Sequence, residues 1–193
     1  AKAAAGPLGD AAMAVQFDAS DPASVEAMVE ATVARFGRLD ILHNNAAMTD
    51  PAKHPLDTDA VTIPIEIWDE IIDINLRGYL LGCKYAIPHM VAGGGGSIIN
   101  TASNSGTAGD LARIAYGSSK GAIITMTKYI ATQHGRQNIR CNSVAPGVVL
   151  TEALSKTVPG LADTLGHEHA TVRLAGVQAL DAIGTVTRIT DEH

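Results

Sequence analysis

The feature that most constrains this chain is an alternation of short apolar runs with longer amphipathic ones, which a parallel sheet with crossover helices requires and an antiparallel meander does not. Ala12–Phe17 is the first run and ends at Asp18. Asp21 then caps a helix with Pro22 in its first turn, which passes Val25, Met28, Val29 and Val33 and stops at Gly37. Leu39–His43 is the next strand, ending in Asn44-Asn45-Ala46-Ala47, and residues 48–64 are polar, Pro-containing loop. A long helix is predicted from Ile67 through Asn75 and Cys83 to Pro88. Gly93–Gly96 precedes a strand instead of bridging strand to helix, so it reads as a turn and not as a phosphate loop. Ser97–Thr101 is that strand, followed by a helix carrying Tyr116 and Lys120 to Gly135, and a strand at Ile139–Val144 closed by Pro146-Gly147. No internal repeat interrupts this α/β order, a doubly wound parallel sheet.

In open sheets of this kind, ligands bind beyond the carboxyl ends of the strands. Asp18, Asn44, Ser103 and Pro146-Gly147 each follow one of the four predicted strands. A single polar residue there is routine turn chemistry, whereas a series along one sheet edge points to a common site. Tyr116 and Lys120 are four apart, which puts phenol and ammonium on one helical face. At about 4 Å and an effective dielectric near 20 their attraction would be on the order of 4 kcal/mol, favouring transfer of the phenolic proton. Ser103 would hold a carbonyl or alcohol oxygen beside them. Alone the pair means little, because with four Tyr and six Lys a chance Tyr-x-x-x-Lys arises about one time in eight.

The net charge of −6 without a basic cluster argues against nucleic acid or an anionic membrane as partner. No apolar run approaches the roughly eighteen residues that span a bilayer. Cys83 and Cys141 are two and far apart, so reduced thiols in a cytoplasmic setting are expected. His167 and His169 flank Glu168, but with no third ligand nearby they read as a solvated face and not a metal site.

These residues together make the chain similar to the short-chain dehydrogenases/reductases. The resemblance is carried by Asp18, Asn44-Asn45-Ala46, Asn75, Ser103, Tyr116-Gly117-Ser118-Ser119-Lys120 and Asn142-Ser143-Val144-Ala145-Pro146-Gly147, and it extends to about Leu174. It faintly touches the nucleotide-sugar epimerases, which share the Tyr and Lys, but Asn44-Asn45 and the strand spacing favour the short-chain branch.

The resemblance implies one Rossmann-like, three-layer α/β/α domain over 1–193, incomplete at both ends, with a substrate lid at 148–170. It implies an oxidoreductase moving a hydride between NAD or NADP and a secondary alcohol or ketone. Tyr116 would be the general acid/base, Lys120 would ease its proton transfer and hold the nicotinamide ribose, and Ser103 would orient the substrate oxygen. Asn75 would bend its helix and anchor a proton-relaying water. Asp18 would contact the adenine, Asn44 and Ala46 would line the adenosine side, and Pro146, Gly147, Val149 and Thr151 would border the nicotinamide. The small residues Gly117, Ser118, Ser119, Gly121 and Ala122 fit a helix approached closely by a flat ring. Apolar outward positions at Leu80, Leu81, Ile123, Ile124 and Met126 would form a homodimer or homotetramer interface.

Departures from the family pattern are equally definite. No Gly-x-x-x-Gly-x-Gly precedes Asp18, the residue that separates NAD from NADP would lie upstream of Ala1, and Ala47 stands where the family continues with Gly. A piece of a longer enzyme is therefore the expectation, with a truncated, non-catalytic dinucleotide-binding or scaffold protein as the alternative.

Overall fold

A computed structural model describes residues 5–149. The chain divides into two compact units, Ala1–Ser143 and Val144–His193, and each is described by itself.

Among the described residues three strands form one sheet in the order β1 (Ile41–Asn44), β2 (Gly96–Thr101), β3 (Ile139–Val144). β1 and β2 run parallel, with Leu42 opposite Ile98 and Asn44 opposite Asn100. The helices are α1 (Pro22–Phe36), α2 (Ile65–Ile72), α3 (Gly78–Ala92) and α4 (Ile114–His134).

Local chemistry sets α1. The Asp21 carboxylate accepts the Ala23 N–H, Pro22 fills the first turn, and Gly37 ends the helix at φ 80° while donating to the Val33 carbonyl. Helix α2 passes into α3 through a π turn at Asp73–Arg77, where the Gly78 N–H reaches the Asp73 carbonyl. Asn75 sits in that turn. The helix does not stop at Pro88 as predicted but runs to Ala92. Pro88 itself is exposed, and burial of Ala86 and Met90 on either side offsets the bond its ring removes.

The predicted strand Ala12–Phe17 is not a strand: residues 12–18 carry no ladder, and Met13 and Phe17 are exposed. Its apolar run suits a strand, but a strand exists only when a neighbour takes its backbone groups, and none of the three described strands pairs with it.

Ile98, Met90, Ala86, Ile130 and Ile139 make the main core cluster, so α3 and α4 cover the sheet face that carries Ile98 and Asn100. Each of the Ile and Met side chains contributes about 1.5–3 kcal/mol by leaving water. The Gly93–Gly96 turn is fastened by Asn138, whose amide donates to the Gly94 carbonyl at 2.9 Å and whose carbonyl accepts from Gly96. Gly95, at φ 138°, lies against the Asn138 side chain and has no room for a Cβ.

Candidate active site

Ser103, Tyr116 and Lys120 come from two elements that the core packs together. Ser103 follows β2 by two residues and starts a single 3-10 turn, Asn104–Gly106, with its hydroxyl accepting the Ser105 N–H at 3.2 Å. That turn packs directly on the backbone of α4. A Cβ on Gly117 would stand 3.1 Å from the Ser105 carbonyl, and one on Gly121 the same distance from that of Gly106. The smallness of Gly117 and Gly121 thus serves the approach of a loop backbone.

Lys120 is 2% exposed, and its Nζ donates to the Thr101 carbonyl at 2.6 Å, with the Tyr79 hydroxyl at 3.5 Å. Burial pulls its pKa down to about 8. The ammonium lies 5.6 Å from the centre of the Tyr116 ring and 5.2 Å from that of Tyr79. The buried ammonium takes the bare carbonyl at the end of β2. Tyr116 is half-buried, and the Arg113 guanidinium lies 5.6 Å from its ring centre.

Asn75 is fully buried and spans two elements. Its Oδ1 accepts the Met48 N–H at 2.8 Å, its Nδ2 donates to Ser119 Oγ at 3.3 Å, and Ser119 Oγ in turn donates to the Tyr116 carbonyl at 2.7 Å. Its side chain is thus a brace between the loop after β1 and α4.

The expected adenosine contacts are placed differently from one another. Asp18 is exposed and accepts the Ser20 N–H and hydroxyl at 2.8 and 2.7 Å, and those bonds hold its carboxyl below the usual range. Ala46 is half-buried. Asn44 turns inward: its amide donates to Asn100 Oδ1 at 2.9 Å, and Asn100 donates to Thr127 Oγ1 at 2.9 Å. Gly82 makes room for this chain, since a Cβ there would stand 2.6 Å from Asn44 Oδ1. The Asn44 side chain is committed to the core. Leu42 and Asn44 share a strand face, and that alternation was the available signal.

Pro146 and Gly147, half-buried, and Val149, exposed, belong to the second unit. Thr151, the segment 150–170, and His167, Glu168 and His169 lie outside the described residues.

Sequence reasoning missed four contributors. Asn100 was signalled by a polar residue on the inward side of an apolar strand, and Thr127 by nothing local. Tyr79 is 1% exposed and lies under Lys120. Asp57, 3% exposed in the 48–64 loop, accepts the N–H groups of Ala115 and Tyr116 at 2.9 Å each. A separate cleft of about 470 Å³ opens between residues 58–60 and 105–113, with Arg113, Ser105 and Ser118 in its wall but none of the Ser103, Tyr116 and Lys120 side chains.

Of the outward apolar positions, Leu80 is 51% exposed, whereas Leu81 and Ile123 are buried in the protein's own core. With Leu76, Met126 and Tyr129, Leu80 lines a shallow groove of about 620 Å³ between α3 and α4. Among the described residues no helix is long and apolar enough to cross a membrane.

A family model described as enoyl-(acyl carrier protein) reductase matches residues 1–187. Over 137 residues the chain is 42% identical to a protein of Bradyrhizobium diazoefficiens described as a probable short-chain type dehydrogenase/reductase, covering 70% of this chain and 47% of that one. It is 41% identical over 139 residues to a 7alpha-hydroxysteroid dehydrogenase of Bacteroides fragilis, covering 72% and 52% respectively. The solved structure of ElxO with NADP bound superposes with a TM-score of 0.67 at 35% identity, over 73% of this chain and 55% of that one. The chain thus spans about half the length of the curated relatives it matches.

Proposed function

The chain belongs to the short-chain dehydrogenase/reductase family, with a partial Rossmann-type α/β fold, and from that premise we propose that it carries the proton-transfer half of an oxidoreductase acting on a secondary alcohol or ketone. The observation that carries this reading is the buried ammonium of Lys120, seated one helical turn from Tyr116 at the mouth of β2.

NAD or NADP is the cofactor of this reading, and the donor set suits it. Lys120 commits one N–H firmly to Thr101, which leaves donors for ribose hydroxyls. When bound, the nicotinamide supplies the hydride acceptor or donor. Ser103 orients the substrate oxygen, and Tyr116 takes the alcohol proton as the adjacent carbon loses its hydride, or returns it in the reduction. The positive charge of Lys120 favours the phenolate over the phenol. Asp18 and Ala46 border the adenosine. The groove at Leu76, Leu80, Met126 and Tyr129 is the subunit interface of a homodimer or homotetramer, in a cytoplasmic enzyme.

Tyr116→Phe tests the assignment. Turnover should fall by about 10²–10⁴, the usual worth of positioned acid/base catalysis, while nicotinamide binding measured by titration stays within about twofold. Retained turnover would sink the acid/base role.

A further inference from the structure

α4 does not cap itself. At its N-terminus Arg113 adopts the left-handed conformation (φ 64°, ψ 44°) and makes no side-chain cap, while Asp110 is spent on the Leu111 N–H and the Arg113 guanidinium. An α-helix leaves its first four N–H groups without internal partners. Here all four go to two consecutive residues of the 48–64 loop. Arg113 N–H donates to the Asp57 carbonyl at 2.8 Å, Ile114 N–H to the Thr58 carbonyl at 3.2 Å, and Ala115 and Tyr116 N–H to the two oxygens of the Asp57 carboxyl at 2.9 Å.

The other side of the Tyr116 residue is tied to the same loop. Its carbonyl accepts from Ser119 Oγ, which accepts from Asn75, which accepts from the Met48 N–H. Both peptide groups flanking the Tyr116 side chain are therefore referenced to one segment, 48–57, through two buried carboxamide or carboxyl groups. A residue fixed on both sides cannot slide along the helix axis or swing the direction of its Cα–Cβ bond without breaking a buried hydrogen bond, and misplacement by about 1 Å can cost 10²-fold in rate.

We infer that Asp57 is a positioning residue for Tyr116, setting where the phenol stands relative to substrate through the location of its two carboxyl oxygens. This rests on Tyr116 being the acid/base. A helix cap that merely stabilises would tolerate any acceptor that keeps the protein folded; a positioning clamp depends on where the acceptor lies.

Two variants separate these. Asp57→Glu keeps the charge but moves the acceptor by about one C–C bond, 1.5 Å. Asp57→Asn keeps one acceptor in place, sets an amide NH2 against the other N–H, and removes the charge. In the catalytically competent protein, Asp57→Glu should lower kcat about tenfold or more, with KM and the nicotinamide Kd within about twofold, and Asp57→Asn, which keeps one of the two oxygens, should lower kcat severalfold less. Hydrogen exchange at the Ala115 and Tyr116 amides, read in the same variants, should accelerate at both in Asp57→Glu and chiefly at one in Asp57→Asn. The inference is overturned if Asp57→Glu turns over like the parent, if both variants lose kcat equally, or if the two amides exchange equally in both. Hydrogen exchange reports the clamp without turnover, so an active Tyr116→Phe enzyme would remove the acid/base reading while leaving the clamp to be judged separately.

Discussion

Replacing Asn100 by Leu should be among the most damaging conservative-volume changes in the described residues. Asn100 is fully buried, accepts from the Asn44 amide and donates to Thr127 Oγ1, each at 2.9 Å. Two net hydrogen bonds at about 1 kcal/mol each are lost, and the Asn44 amide keeps only long contacts to the Tyr79 carbonyl and Cys83 Sγ, at 3.4 and 3.5 Å. Leaving a buried donor nearly unpaired adds about 1–3 kcal/mol. Thr127 is spared, because its hydroxyl still donates to the Ile123 carbonyl. The sum is about 3–5 kcal/mol, a large share of the stability of an ordinary domain. Urea unfolding followed by far-UV circular dichroism measures it, with the m-value as the check that the unfolded reference has not changed. In an Asn44→Ala background no amide is stranded, so the cost of Asn100→Leu should shrink by about 2 kcal/mol. A loss below about 1 kcal/mol in the single variant, or additivity within about 0.5 kcal/mol, would refute the network as a coupled unit.

Lys120 has a folded-state pKa lowered to about 8 from 10.5. Between those values the unfolded chain holds the proton that the folded protein has released, so this residue makes stability rise with pH from about 8 towards 10.5 and removes that gain as pH falls back through 8. The difference in urea midpoint between the parent protein and Lys120→Met should follow that window, and a flat difference between pH 7.5 and 10 would contradict it. Burial raises the thiol of Cys83 to about 12 and that of Cys141 to about 11. Iodoacetamide at pH 8 should label neither in the folded protein and both after unfolding; labelling of native protein at the rate of a free cysteine would disprove the burial.

What could be read from the sequence was what is decided locally. Asp21, Pro22 and Gly37 specify α1 within their own neighbourhood, and Ile139–Val144 is a strand with the bounds its pattern implies. Ala12–Phe17 failed because pairing is not local, and the helix past Pro88 because tertiary burial outweighs one lost bond. Ser103, Tyr116 and Lys120 were legible as candidates through spacing, but the Thr101 carbonyl that holds Lys120 was not, since a backbone group has no signature. The inward turn of the Asn44 side chain was not legible, because a polar residue after a strand looks the same whichever way it points. Asp57 gave no signal at all. Its partners are 58 and 59 positions away, and the residues next to α4 show only an absence of caps.

That borrowed helix start bears on the order of folding. A helix that finds its cap in the preceding residue can close its first turn on the timescale of local chain motion. The first turn of α4 must instead wait until a loop some 55 residues back has been delivered, which charges a loop-closure entropy before any of the four amides is satisfied. The middle of α4, packed through Ile123 and Ile130, can form early, while the turn bearing Tyr116 is completed late. The geometry around Tyr116 then becomes a readout of finished assembly, absent while the 48–64 loop is still undocked.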